Sequence, residues 1–168
     1  MKRQEPQFGD CYELKISEGN YVYFQYIAKD YYQLDSECVR FFKLIRSKPF
    51  SPEESFEEIL VSGSWFYSHT YIKEMLRDFY KKVSHEPLPE NELTDLTFHY
   101  IIDDLKDGEF VPKYIVRKLG ADVEDSVVDH KTYSEMKKKS WMDGVSGPHV
   151  YIQRIPMKLK DPNYEHLY

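Results

Sequence analysis

The stretch from Gly9 to Ala28 constrains this chain more than any other, because it reads as two strands joined by a turn. In the first, Tyr12, Leu14 and Ile16 alternate with Cys11, Glu13 and Lys15, the period of two of a strand with one buried and one wet face. Ser17-Glu18-Gly19-Asn20 is the turn. Gly19 and Asn20 tolerate positive φ, which suits a tight hairpin connection and equally a longer loop with a bulge. The returning strand has Tyr21, Tyr23, Gln25 and Ile27 on one face and Val22, Phe24, Tyr26 and Ala28 on the other. Both faces are largely apolar or aromatic, which places it in the middle of a sheet. After a loop from Lys29 to Asp35, residues 36–46 alternate again, Cys38, Arg40, Phe42 and Leu44 against Val39, Phe41, Lys43 and Ile45. They form a third antiparallel strand paired with the second.

Three such strands make an antiparallel meander of the SH3-like or partly open barrel kind. With 168 residues the chain suits one domain, long enough to bury roughly 70% of its unfolded surface. The expected fold class is therefore α+β and β-rich: a meander over residues 1–50, extended over 51–168 by further strands and two or three short helices. The high aromatic content, 15 Tyr and 10 Phe, points the same way. Phe8, after a short tail, is placed to plug the start of the sheet.

In the extension, Ser51 reads as a helix cap with Pro52 at the first helical position and Glu53 and Glu54 in the first turn, the helix ending before Gly63. Residues 64–69 read as a strand. From Tyr71 the period changes: Ile72, Met75, Leu76, Phe79, Tyr80 and Val83 share a helical face, although 79–85 also fits an extended segment. Residues 96–102 form a strand, 103–108 its acidic turn and 109–117 the return, with Pro112 marking an edge or a bulge. Thr132 and Glu135 have capping-box spacing for a helix running through Met142. Residues 148–155 fit either a strand or a helix opened by Ser146 and Pro148.

The chemistry-bearing residues do not form a motif. Cys11 and Cys38, each in an expected strand, permit one disulfide but read better as reduced core residues; there is no CxxC pair and no zinc-ligand spacing. None of the six histidines has a partner at i, i+4. Asp129 beside His130 could orient an imidazole toward a nucleophile such as Ser126, yet no elbow glycines flank it. Asp103 and Asp104 could bind a metal or work as acid and base, and equally fit a solvated turn. No cofactor is expected. No apolar run of membrane-spanning length and no signal-like core near residue 1 occurs, so the expected compartment is the cytoplasm.

Charge carries more information. The net charge is −6, which argues against nucleic acid as a partner. Between Glu86 and His130 twelve acids face four bases, so the field is concentrated in one segment. A carboxylate-rich face can fill a basic substrate groove by imitating phosphates and speed association with a cationic protein. The candidate contact residues are Asp103, Asp104, Asp107 and Glu109, then Asp122, Glu124, Asp125 and Asp129. Tyr31, Tyr32, Tyr67 and Trp65 are either core or interface anchors, core being the better reading for Trp65.

The opening pattern Gly9-Asp10-x-Tyr12-x-Leu14-x-Ile16, then Gly19-x-Tyr21-x-Tyr23-Phe24-x-Tyr26-Ile27, resembles the start of the bacterial immunity protein 26 family. Residues 79–83 before Pro87-Leu88-Pro89, the Phe98 strand, Gly108-x-Phe110 and Trp141 before 150–155 follow in a similar order. The second strand departs from the family pattern at Phe24 and Tyr26, and the loop after Asp104 departs further. The resemblance implies a cytosolic, non-catalytic protein that binds and neutralises a cognate toxin domain. Two rivals stand beside it: an SH3-like nucleic-acid-binding domain stacking bases on Tyr21, Tyr23 and Tyr26, and a small hydrolase using Asp129 and His130.

Overall fold

A computed structural model describes residues 5–31, 34–88, 96–118, 126–137 and 145–160. The N-terminal hairpin is β1 (Asp10–Ser17) and β2 (Asn20–Asp30), turning through Glu18 and Gly19 with a register irregularity between Lys15 and Ser17. β3 (Ser36–Arg46) pairs with β2, so β2 is the central strand its two apolar faces require. β2 continues through Lys29 and Asp30, shortening the expected loop. β4 (Ser64–Thr70) and β5 (Tyr80–His85) complete an antiparallel sheet in the order β4-β3-β2-β1-β5. Its two edges come within side-chain reach, since Thr70 Oγ1 lies 2.9 Å from the Tyr80 hydroxyl. The sheet is curled and open, without a ladder closing β4 onto β5 among the described residues.

The concave face carries the largest apolar cluster, with Tyr12, Leu14, Val22, Phe24, Val39 and Phe41 at its centre. Helix α4 (Pro148–Lys160) covers it, inserting Tyr151 and Ile155 one helical turn apart. The Tyr151 hydroxyl lies 2.9 Å from the His69 carbonyl oxygen and 3.0 Å from Ser68 Oγ. Residues 148–155 are thus helical, and Pro148 occupies the first turn, where its missing N–H costs nothing. On the convex face Tyr23 and Phe42 meet Phe50, Phe56 and Ile59. Glu13 is buried there and accepts hydrogen bonds from the Tyr23 hydroxyl (3.1 Å) and the Phe50 N–H (2.6 Å).

Two helices differ from expectation. α1 spans Glu57–Val61, not 51 onward. Ser51 to Glu54 is a turn, with the Ser51 N–H donating to the Glu54 carboxylate at 2.8 Å and Arg46 holding the same carboxylate from β3. Phe50 and Phe56 pack ring to ring at 5.5 Å, whereas six helical steps would point them about 120° apart. The turn is what lets both reach one cluster. α2 is a single turn, Ile72–Met75, after which Arg77 adopts φ +95° and the chain becomes β5. The helical period from Ile72 to Val83 misleads because Tyr80–His85 instead supplies the outer ladder of β1, with Tyr80 opposite Leu14.

The second sheet is β6 (Thr97–Lys106), β7 (Glu109–Lys118) and β8 (Ser126–Val128), in that order. The turn between β6 and β7 is Asp107-Gly108 alone, both left-handed at φ +52° and +85°, as a two-residue type I′ hairpin requires. Asp103 and Asp104 therefore lie within β6 and not in a turn. Counting pairs back from the turn, Asp103 and Pro112 face each other at a position without ladder hydrogen bonds. Pro112 also lies outside the stretch of β7 that pairs with β8, which begins at Tyr114. α3 (His130–Lys137) is capped by Asp129, whose Oδ1 accepts the Thr132 N–H at 2.7 Å. The cap lies three residues before the expected Thr132, and residues 138–142, where the helix was expected to continue, lie outside the described residues.

Candidate functional site

Among the described residues, the second sheet is anchored at one end only. Near the open end of the hairpin, Phe98 packs with Ile27 and Cys38 of the first sheet, and Tyr114 meets Tyr133 of α3 at 5.0 Å between rings. Alternation places Phe98, Ile115 and Arg117 toward the first sheet and Tyr114 toward α3. Toward the turn both covers end. Ile101, Leu105 and Phe110 share one face at 51%, 62% and 75% exposure, and Ile102 and Val111 are exposed on the other. Leu105 and Phe110 are direct cross-strand neighbours. The result is an arm with exposed apolar side chains on both faces, a concentration of the kind found at interaction surfaces.

The acids sit among these residues but not on one face. Asp103 shares the Leu105 and Phe110 face; Asp104 points to the other, where Lys113 Nζ approaches it at 2.6 Å and holds its carboxyl below the ordinary range. Asp107 occupies the turn, and Glu109 opens β7 opposite Lys106. Asp129 is a helix cap. Asp122, Glu124 and Asp125 lie outside the described residues, as does Tyr32. The arm therefore joins Asp103, Asp107 and Glu109 to exposed apolar side chains that the sequence reading placed in a strand, its turn and the return without weighing them as a surface. The signal was present: alternation between Ile101 and Val111 leaves neither face polar, but nothing local says that a cover is missing.

Tyr23, Tyr26, Asp129 and His130, named in the two rival readings, are each engaged within the fold, and Tyr21 is partly buried. Tyr23 and Tyr26 are buried in the first sheet and offer no ring to a base. The Asp129 carboxylate is bound to the start of α3, and the His130 ring packs tilted against Tyr114, centroids 5.1 Å apart. Tyr31 is exposed, whereas Tyr67 and Trp65 are partly buried and packed. Phe8 contacts Tyr26 edge-on at 5.0 Å yet stays largely exposed. Cys11 and Cys38 are buried and form no disulfide, and burial pushes the Cys11 thiol up to about 12, which makes it inert.

What fixes the arm to the body is a cluster without sequence signature. Arg117 of β7 grips Asp30 of β2 with both terminal nitrogens, at 3.1 Å to Oδ1 and 3.0 Å to Oδ2. His69 Nε2 of β4 lies 2.9 Å from the same Oδ2. All three are buried: Arg117 at 1%, Asp30 at 2% and His69 at 0% exposure. Burial alone would raise the Asp30 pKa, but His69 and Arg117 outweigh it and hold the carboxyl well below its usual range. A buried charge pair of this quality is a positional lock between the sheets.

Neither a protein-family model, nor a curated protein, nor a solved structure matches the chain.

Proposed function

We propose that this protein is a non-catalytic inhibitor of another protein, and that the β6–β7 arm is its contact element. The carrying observation is the exposed Leu105–Phe110 pair with Ile101 beside it, with Asp103 on the same face, Asp107 in the adjoining turn and Glu109 next to Phe110 on the other face. Apolar anchors with like charge near them suit a partner whose docking site is an apolar cleft within a cationic surface. With the resemblance at the N-terminus, the partner is a cognate bacterial toxin domain, and a nuclease active-site groove has the required basic character. The arm would enter or cover that groove in the cytoplasm of the producing cell and exclude the substrate by occupancy.

Titration calorimetry against the toxin domain encoded next to this gene, with growth rescue alongside, tests the reading. One-to-one binding is expected. Phe110→Ala and Leu105→Ala should each weaken it by about 30-fold, the effect of losing a central anchor, without lowering the melting temperature, since neither side chain is in the core. Charge reversal at Asp103, Asp107 and Glu109 should slow association and flatten its salt dependence. Full affinity in the Leu105→Asp, Phe110→Asp double variant would sink the arm as the contact element.

A further inference from the structure

A separate feature lies at the edge of the first sheet, where α2, the start of β1 and the segment before it surround a cavity of about 220 Å³. Asp10 is buried at its floor. Its Oδ1 takes Lys82 Nζ at 2.6 Å and His85 Nδ1 at 2.8 Å, while Oδ2 accepts the Gln7 N–H at 3.0 Å and the Tyr12 hydroxyl at 3.3 Å. Gly9 makes this arrangement reachable: it adopts φ +94°, and a Cβ there would sit 2.6 Å from the Glu86 carbonyl oxygen. At the rim Lys73 Nζ holds the exposed Glu5 carboxylate at 2.7 Å.

Arg77 also lines the cavity and makes no ion pair with any described residue. Lys82 pairs with Asp10 at the floor and Lys73 with Glu5 at the rim, leaving Arg77 as the cavity-lining charge without an ion-pair partner among the described residues. Its backbone, at φ +95°, is in a region that a non-glycine side chain rarely adopts, and such strain concentrates at ligand sites. The remaining wall is Leu76 and the Tyr12 ring, apolar surface a phosphate or carboxylate alone would not use. A cavity of about 150 Å³ accommodates a benzene ring, so this one has room for a ring carrying an anionic group.

We propose that this cavity is a binding site for a small organic anion, an aromatic or cyclic phosphate monoester or carboxylate, with Arg77 and Lys73 holding the anionic group and Glu5 as the carboxylate it displaces. The arm has no part in this site, and the inference does not rest on the inhibitor reading.

Phenyl phosphate and benzoate are the probes, titrated calorimetrically at low ionic strength, with inorganic phosphate measuring the anionic group alone. At least one ring probe should saturate one site more tightly than inorganic phosphate, and the stronger of the two assigns the anion class. Arg77→Ala should weaken it roughly tenfold, the usual effect of losing a charge-assisted hydrogen bond. Arg77→Gly, which suits the left-handed backbone and so secures folding, should do the same. Glu5→Gln should tighten binding several-fold by removing the competitor. Lys15→Ala, at a lysine paired with Glu18 at the β1–β2 turn, should change nothing. Absence of saturation by both ring probes, an unaltered Arg77→Gly isotherm, an unaltered Glu5→Gln isotherm, or an equal loss in Lys15→Ala would each overturn the proposal.

Discussion

Asp30→Ala should lower stability by about 3–5 kcal/mol, because it leaves the Arg117 guanidinium buried without its carboxylate. In a domain of this length that is a fall of roughly 10–15 °C in melting temperature, measurable by calorimetry or by urea denaturation. The same residue sets a pH dependence. Its folded pKa lies below the unfolded value, so its contribution is fully present above the unfolded pKa and is lost as pH falls toward the folded one. Wild-type stability should therefore decline from about pH 5 downward, and the Asp30→Ala protein should decline less over that window. It should keep a residual slope, because Asp10 is also lowered: burial opposes the shift, and Lys82, His85 and the Gln7 N–H exceed it. Equal slopes in the two proteins would remove Asp30 as the acid-sensitive group.

Phe24→Ala should cost a similar amount, about 3–5 kcal/mol, for a different reason. Phe24 sits on the central strand with ring centroids of Tyr80, Phe41 and Tyr12 at 4.8, 5.1 and 5.3 Å. Truncation removes three aromatic contacts and opens a void where strands on both sides constrain collapse. Phe24→Leu keeps most of the volume and should cost less than about 1.5 kcal/mol. Urea midpoints should separate the two variants, and a loss under 1 kcal/mol for Phe24→Ala, on the order of a surface change, would mean that β2 is not the centre of the core.

The meander was legible because its signal is local. Tyr12, Leu14 and Ile16 declare one buried face, and β2, apolar on both, can only be central. Elements that answer to distant partners were not legible. The run from Ile72 to Val83 has helical spacing, yet β1 had an unpaired edge that Tyr80–His85 fills. Ser51 and Pro52 carry a good helix start, overridden by Arg46 and by two phenylalanines sharing one cluster. Asp107-Gly108 was the opposite case, a strong hairpin signal submerged in a run of acids. The lock of Asp30, His69 and Arg117 joins residues 39 and 87 positions apart in sequence. No window of sequence contains it. Of the candidate contact residues, the acids at 103, 104, 107 and 109 lie on the arm, but the apolar side chains between them were not weighed as a surface, because alternation alone does not say what covers a face.

Pro112 gives the arm a property beyond recognition. A hairpin with exposed apolar faces and open edges is a template on which copies of a chain can stack into fibres. On the β7 flank beyond β8, Pro112 has no N–H to offer an incoming strand. Along β6, the other edge, Asp103, Asp104 and Lys106 would be stacked against their own copies in any in-register assembly. The proposed contact arm would thus keep its apolar side chains available to a partner while resisting polymerisation with itself.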